Sequence, residues 1–167
     1  PITVIPWIFE PELETLGLLP ADRRTNRDQM VDFQLPTSIS NELYIVLGFL
    51  SVLSDSWYCI FHLSRSVSHR RGLDLYDTGF VYPYEFEEWE LEKEGYFDEV
   101  AVYTPAQTQV QMGLAVFERL MLRVFHTAME SAHRYKDPIL HDPRFVQFIK
   151  DINQIERRLE EESKKVA

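Results

Sequence analysis

Cysteine is almost missing from this 167-residue chain, which has only Cys59. One thiol excludes an intramolecular disulfide. Its place in the apolar run "WYCIFHL" predicts a small buried hydrophobe in a protein kept in a reducing compartment. Glycine is also scarce, at six residues, and forms no loop that could cradle phosphate. No Ser/Gly linker and no internal repeat divides the chain, so residues 1–167 read as one domain. Positive charge is short as well, with 17 Lys and Arg against 27 Asp and Glu, a net charge of −10. That balance excludes direct binding of nucleic acid, whose phosphates need a basic footprint. It makes a cationic partner the natural complement. No Ser-His-Asp or Cys-His order appears, so no nucleophilic enzyme is signalled.

Membrane signals are lacking too. "PITVIPWIF" has no basic n-region and no small-residue cleavage site, and Pro1 reads as following a removed initiator Met. The most apolar stretch, Leu43 to Leu63, has about the length of a membrane span. "SDS" at 54–56 breaks it with a charge and two turn formers. Two buried elements in a cytoplasmic protein are expected, with no membrane partner.

What is present is aromatic and helical. Eleven Phe, eight Tyr and three Trp supply a well-packed core. "ITVIPWIF" reads as a short strand that Pro6 confines to an edge or a bend. Leu13, Leu16 and Leu19 recur at three-residue spacing in a helical turn that Pro20 ends. Ser38 or Ser40 caps a buried helix, with Glu42 in its first turn. "WYCIFHLSRS" follows as a second helix and "HRRGLDLYDTG" as a loop. "FVYPYEFEEWELE" and "YFDEVAVYTP" alternate and are joined by "KEG", which predicts a β-hairpin with a bulge at Glu87-Glu88.

Thr104, Pro105 and Gln107 form a capping box for a helix to about Lys136, the longest expected. Val110, Leu114, Phe117, Met121, Val124 and Ala128 make its apolar stripe. Asp137-Pro138 stops it. Asp142-Pro143 starts a last helix with Phe145, Phe148, Ile149, Ile152 and Ile155 inward, frayed after about residue 158. The expected class is α+β: a mostly helical single domain with a small antiparallel sheet or hairpin.

Three clusters could carry function. His126, Glu130 and His133 share a helix face at i, i+4 and i+7, a spacing that suits zinc. The stripe continues through Arg119 and Arg123, so a solvated face is expected and no metal or other cofactor. "HLSRSVSHRRG" gathers His62, Arg65, His69, Arg70 and Arg71. With Arg23, Arg24 and Arg27 it could grip a phosphorylated ligand, His62 and His69 serving as acid and base. The third cluster is "YEFEEWELEKEGYFDE", Tyr84 to Glu99, with eight carboxylates, five aromatics and one Lys. Like charges crowded on a hairpin are destabilising, so a solvated face is a poor explanation. Aromatic anchors rimmed by carboxylates describe a surface for a basic protein. The expected contacts are Glu85, Glu87, Glu88, Trp89, Glu90, Glu92, Glu94, Tyr96 and Asp98.

The segment "YPYEFEEWELEKEGYFDEVAVYTP" followed by "TQVQMGLAVFERLMLRVFHTAME" resembles the bacterial immunity proteins of contact-dependent growth inhibition and related polymorphic toxin systems. The resemblance spans residues 80–135. It implies a monomeric, non-enzymatic protein that neutralises a cognate basic toxin domain, often a nuclease, by covering its active or substrate-binding surface. The alternative is a small enzyme or binding protein for a phosphorylated ligand, using the cluster at 62–71.

Overall fold

A computed structural model describes residues 3–6, 13, 15–22, 30–83, 99–106 and 108–166. It shows an α+β fold. Its elements are β1 (Thr3–Pro6), β2 (Gly17–Pro20), β3 (Val31–Gln34), α1 (Asn41–Leu53), α2 (Trp57–His69), β4 (Leu73–Leu75), β5 (Thr78–Val81), β6 (Glu99–Tyr103), β7 (Thr108–Gly113), α3 (Leu114–Arg134), a 3₁₀ turn (Pro138–His141) and α4 (Pro143–Val166).

One sheet has the order β1-β7-β6-β5-β4, and β2-β3 is a separate antiparallel ribbon. Within the large sheet only the β1–β7 pairing is parallel, with Val4 opposite Gln109. β1 lies at the sheet's edge, as Pro6 requires, because proline donates no ladder bond. β6 is central, and Val100, Ala101 and Val102 are all buried, since both its faces are covered. α1 lies across β5, β6 and β7, while α2, α3 and α4 pack on one another. The ribbon β2–β3 rests on α3.

Rings fill the junctions. Phe49 of α1, Phe80 of β5 and Phe117 of α3 meet with centroids 4.9 to 6.4 Å apart. A second cluster joins Trp57 and Phe61 of α2, Phe125 of α3, and Phe145 and Phe148 of α4. Trp57 Nε1 also donates to Asp137 at 3.0 Å, so the partly buried indole keeps its hydrogen bond.

Local signals read correctly at several points. Ser40 caps α1 by accepting from Leu43 N, as expected; Ser56, read only as part of the "SDS" break, caps α2 by accepting from Cys59 N. Cys59 is buried, and burial pushes its thiol pKa up. The "SDS" break separates two helices inclined at 114°. Among the described residues no single helix is long and apolar enough to cross a membrane, and the bent pair passes only on length and composition.

Four expectations are corrected. First, the long helix does not begin at Thr104. Residues 105 and 106 turn the chain between β6 and β7, and the helix begins only at Leu114. "TQVQMG" alternates instead, with Val110 and Met112 buried and Gln109 and Gln111 partly exposed. Tertiary pairing of β7 with both β6 and β1 decides for strand. α4, with 24 residues, is longer than α3, with 21. Second, "LDLYDTG" is not a loop. β4 and β5 form a tight hairpin whose two turn residues, Tyr76 and Asp77, both have positive φ (57° and 59°). Third, Leu19 is not on a helix: it lies in β2 and is exposed, although Leu13 and Leu16 are buried. Fourth, Ile149 of α4, expected inward, is exposed; α4 itself runs from Pro143 to Val166.

β5 and β6 pair antiparallel, Phe80 opposite Val102, as the outer strands of the expected hairpin should. The bulge at Glu87-Glu88 and the "KEG" turn lie outside the described residues.

Candidate functional site

The acidic segment leaves and re-enters the fold at two neighbouring strand ends. Val81 is opposite Ala101, so pairing holds its two roots side by side. Glu85, Glu87, Glu88, Trp89, Glu90, Glu92, Glu94, Tyr96 and Asp98 all lie outside the described residues.

The first root is anchored by the most buried charge among the described residues. Tyr82, next to β5, donates its hydroxyl to Glu118 Oε2 at 2.9 Å. Glu118 is 0% exposed on α3. Arg70 reaches Glu118 Oε1 at 2.8 Å, and Arg158 of α4 reaches Oε2 at 2.6 Å. A buried carboxylate needs this many donors, because desolvation otherwise exceeds what one partner returns. Arg158 also donates to the last carbonyls of α2, at Val67 and Ser68. Arg70 is the left-handed C-cap of α2 (φ 51°), a costly place for a side-chain residue. Its bonds to Glu118 and to Glu162, at 2.8 Å, offset that cost. Burial opposes the charge of Arg70, but its two carboxylate partners raise its pKa overall. Arg70 in turn lowers the pKa of Glu162.

This network explains the cluster at 62–71. Arg70 is engaged inside the fold by Glu118 and Glu162. Arg65 turns to Asp151 of α4 at 3.1 Å, and its Nη2 donates to His69 Nε2 at 2.7 Å. His62 is exposed and stacks edge-on with Tyr58 at 4.5 Å. Arg71 is exposed. Of the four groups required for a phosphate grip, His62, His69 and Arg70 thus have separate partners, and Arg71 is exposed. Arg23, Arg24 and Arg27 lie outside the described residues.

Two members of the helix-face trio are likewise engaged separately, and His133 is exposed. His126 Nε2 contacts Glu156 of α4 at 2.6 Å, and Glu130 pairs with Arg134 at 3.2 Å. Arg123 does not continue a solvated stripe as expected. It folds back to the carbonyls of Leu13 and Leu16 and ties the N-terminal segment to α3. Among the described residues no group of three His, Cys, Asp or Glu side chains is arranged to hold a metal.

Sequence reading missed Glu118 and Asp151. The signal was present: each carboxylate interrupts an apolar helical stripe, between Phe117 and Met121 and between Phe148 and Ile152. Comparison with known protein families, curated proteins and solved structures gives no match.

Proposed function

We propose that this protein is an acidic, non-catalytic binding protein that neutralises a cognate basic toxin domain by covering its active or substrate-binding surface. The observation that carries the reading is where the charge lies. Residues 84–99 hold eight carboxylates and one Lys, so −7 of the net −10 falls in sixteen residues. The rest of the chain is nearly balanced, and six of its cations are matched within the fold. Arg65, Arg70, Arg134, Arg144, Arg158 and Lys164 all pair with carboxylates of their own chain. The acidic segment therefore keeps an excess that a cationic partner would complete.

Glu87, Glu88, Glu90 and Glu92 would occupy the side chains with which a nuclease holds phosphate, and Trp89 and Tyr96 would anchor the contact. The protein would act as a cytoplasmic monomer without a cofactor. The phosphorylated-ligand alternative is weakened because Arg70, one of its two phosphate-gripping guanidines, is held by Glu118 and Glu162. Co-expression with the polypeptide encoded by the adjacent reading frame tests the proposal. Rescue of a growth defect together with a one-to-one complex supports it. Failure of the two purified proteins to associate overturns it.

A further inference from the structure

Independently of the acidic segment, we propose that the groove between α2 and α4 binds a small amphipathic carboxylate. The groove encloses a cavity of about 250 Å³. It forms because Ser64 and Ser68, both buried, let α2 approach α4 closely, while larger side chains flank the seam. Phe61, Phe148 and Tyr58 line it with apolar surface. Phe61 and Phe148 stand 5.7 Å apart at 62° and are held by the second aromatic cluster, so this wall is preformed.

Arg65, Arg144 and Asp151 are the groove's charged side chains, beside His62, Ser64 and Gln147, and of these three only the two arginines are exposed, in a chain of net charge −10. Arg144 lies with its guanidinium carbon 5.5 Å from the Phe61 ring centre. Its Nε and Nη2 both donate to Asp142, at 3.1 and 2.8 Å, which fixes the plane of the guanidinium. Arg65 is held from behind by Asp151 and from the side by His69.

Asp151 is only 1% exposed. Its Oδ1 accepts from Arg65 and Gln147, while its Oδ2 is buried with no partner among the described residues. An incompletely satisfied buried carboxylate is a poor packing choice. Its position behind Arg65 makes it a positioning residue for that guanidinium. Asp151 also lines the groove, but its side chain is covered while that of Arg65 is half exposed, so an arriving molecule meets chiefly Arg65.

These features select the ligand. Its body is aromatic or branched aliphatic, to lie on Phe61, Phe148 and Tyr58. Its head is a monoanion, because each guanidinium is already partly neutralised by its own aspartate. A phosphate dianion would need more uncompensated charge. The carboxylate could belong to a free acid or to the C-terminus of a peptide.

Calorimetric titration of the full chain tests this with five probes: 3-phenylpropionate, acetyl-Gly-Phe, 3-phenylpropylamine, propionate and phenyl phosphate. Saturable binding of at least one of the first two is expected, with Kd of about 0.1–1 mM. The tighter of them identifies a free acid or a chain terminus as the source. The amine, propionate and phenyl phosphate should bind at least about tenfold more weakly. Arg144→Gln, at an exposed side chain, should weaken the acid by about tenfold and leave the melting temperature nearly unchanged. Three results would each overturn the proposal: no saturation by either acid below about 10 mM, amine or phosphate binding as tight as the acid, or an unchanged affinity in Arg144→Gln.

Discussion

Glu118 has no access to water, yet it carries a charge that two helices and a strand end meet. Arg70 comes from the end of α2, Arg158 from α4 and Tyr82 from beside β5. Truncation to Glu118→Ala leaves two largely covered guanidines facing a void. A loss of about 3–5 kcal/mol is expected by denaturant unfolding. Tyr82→Phe removes one neutral donor and should cost about 1 kcal/mol. A loss below about 1 kcal/mol for Glu118→Ala would show that the network does not hold the helices together. At this scale the sequence was half legible. Phe117 and Met121 followed from periodicity and are buried. Glu118 sits between them, but an acidic residue on an apolar stripe discloses no partner. Its partners lie 36, 40 and 48 positions away, and only the fold brings them in.

Element boundaries depended on which force acted locally. Caps are local, so Ser40, Asp137 and Asp142 could be read directly. Strand pairing is not, and "TPAQTQVQMG" satisfied a helix-start pattern while β6 and β1 stood ready to pair with it. Two predictions belong here. Gly79 of β5 sits so close to β4 that an added Cβ would meet the Leu73 carbonyl oxygen at 1.8 Å. Gly79→Ala must therefore displace backbone, and a loss of about 3 kcal/mol is expected in thermal or denaturant unfolding. An unchanged stability would refute this packing of the β4–β5 hairpin.

Asp142, at the start of α4, accepts from the Arg144 side chain and from its backbone N–H. These bonds, the side-chain bond foremost, hold its carboxyl at about 2, below its ordinary value of 3.8. A depressed carboxylate stabilises the fold above its unfolded pKa, and that contribution disappears as pH falls through the folded value. Asp142's contribution should therefore fade between about pH 4 and pH 2. NMR titration of its carboxyl carbon should show a midpoint near the lower end. Arg144→Gln should move that midpoint up toward the ordinary carboxylate range, and an unmoved midpoint would remove Arg144 as the cause.

For the whole molecule, charge and structure are divided between different parts of the chain. Arg65, Arg70 and Arg158 fasten helices to one another, while the segment between β5 and β6 carries most of the negative excess. A surface built this way should steer a basic partner, giving fast association that slows as salt rises. Reversing Glu87, Glu88 and Glu90 to Lys should lower the association rate at low salt and flatten its salt dependence. It should leave the fold intact or slightly steadier, because self-repulsion falls. Trp89→Ala then distinguishes anchoring from packing. An interface anchor costs binding about 2 kcal/mol or more with little change in melting temperature. A core residue would instead cost the free protein about 3–5 kcal/mol of stability. The first outcome is expected, since a tryptophan among carboxylates is placed to meet cations and rings of another chain. Both measurements use stopped-flow association and thermal melts with the adjacent gene product. Binding that survives the triple reversal at every salt concentration would leave the acidic segment as a solvated face and move the interface elsewhere on the molecule.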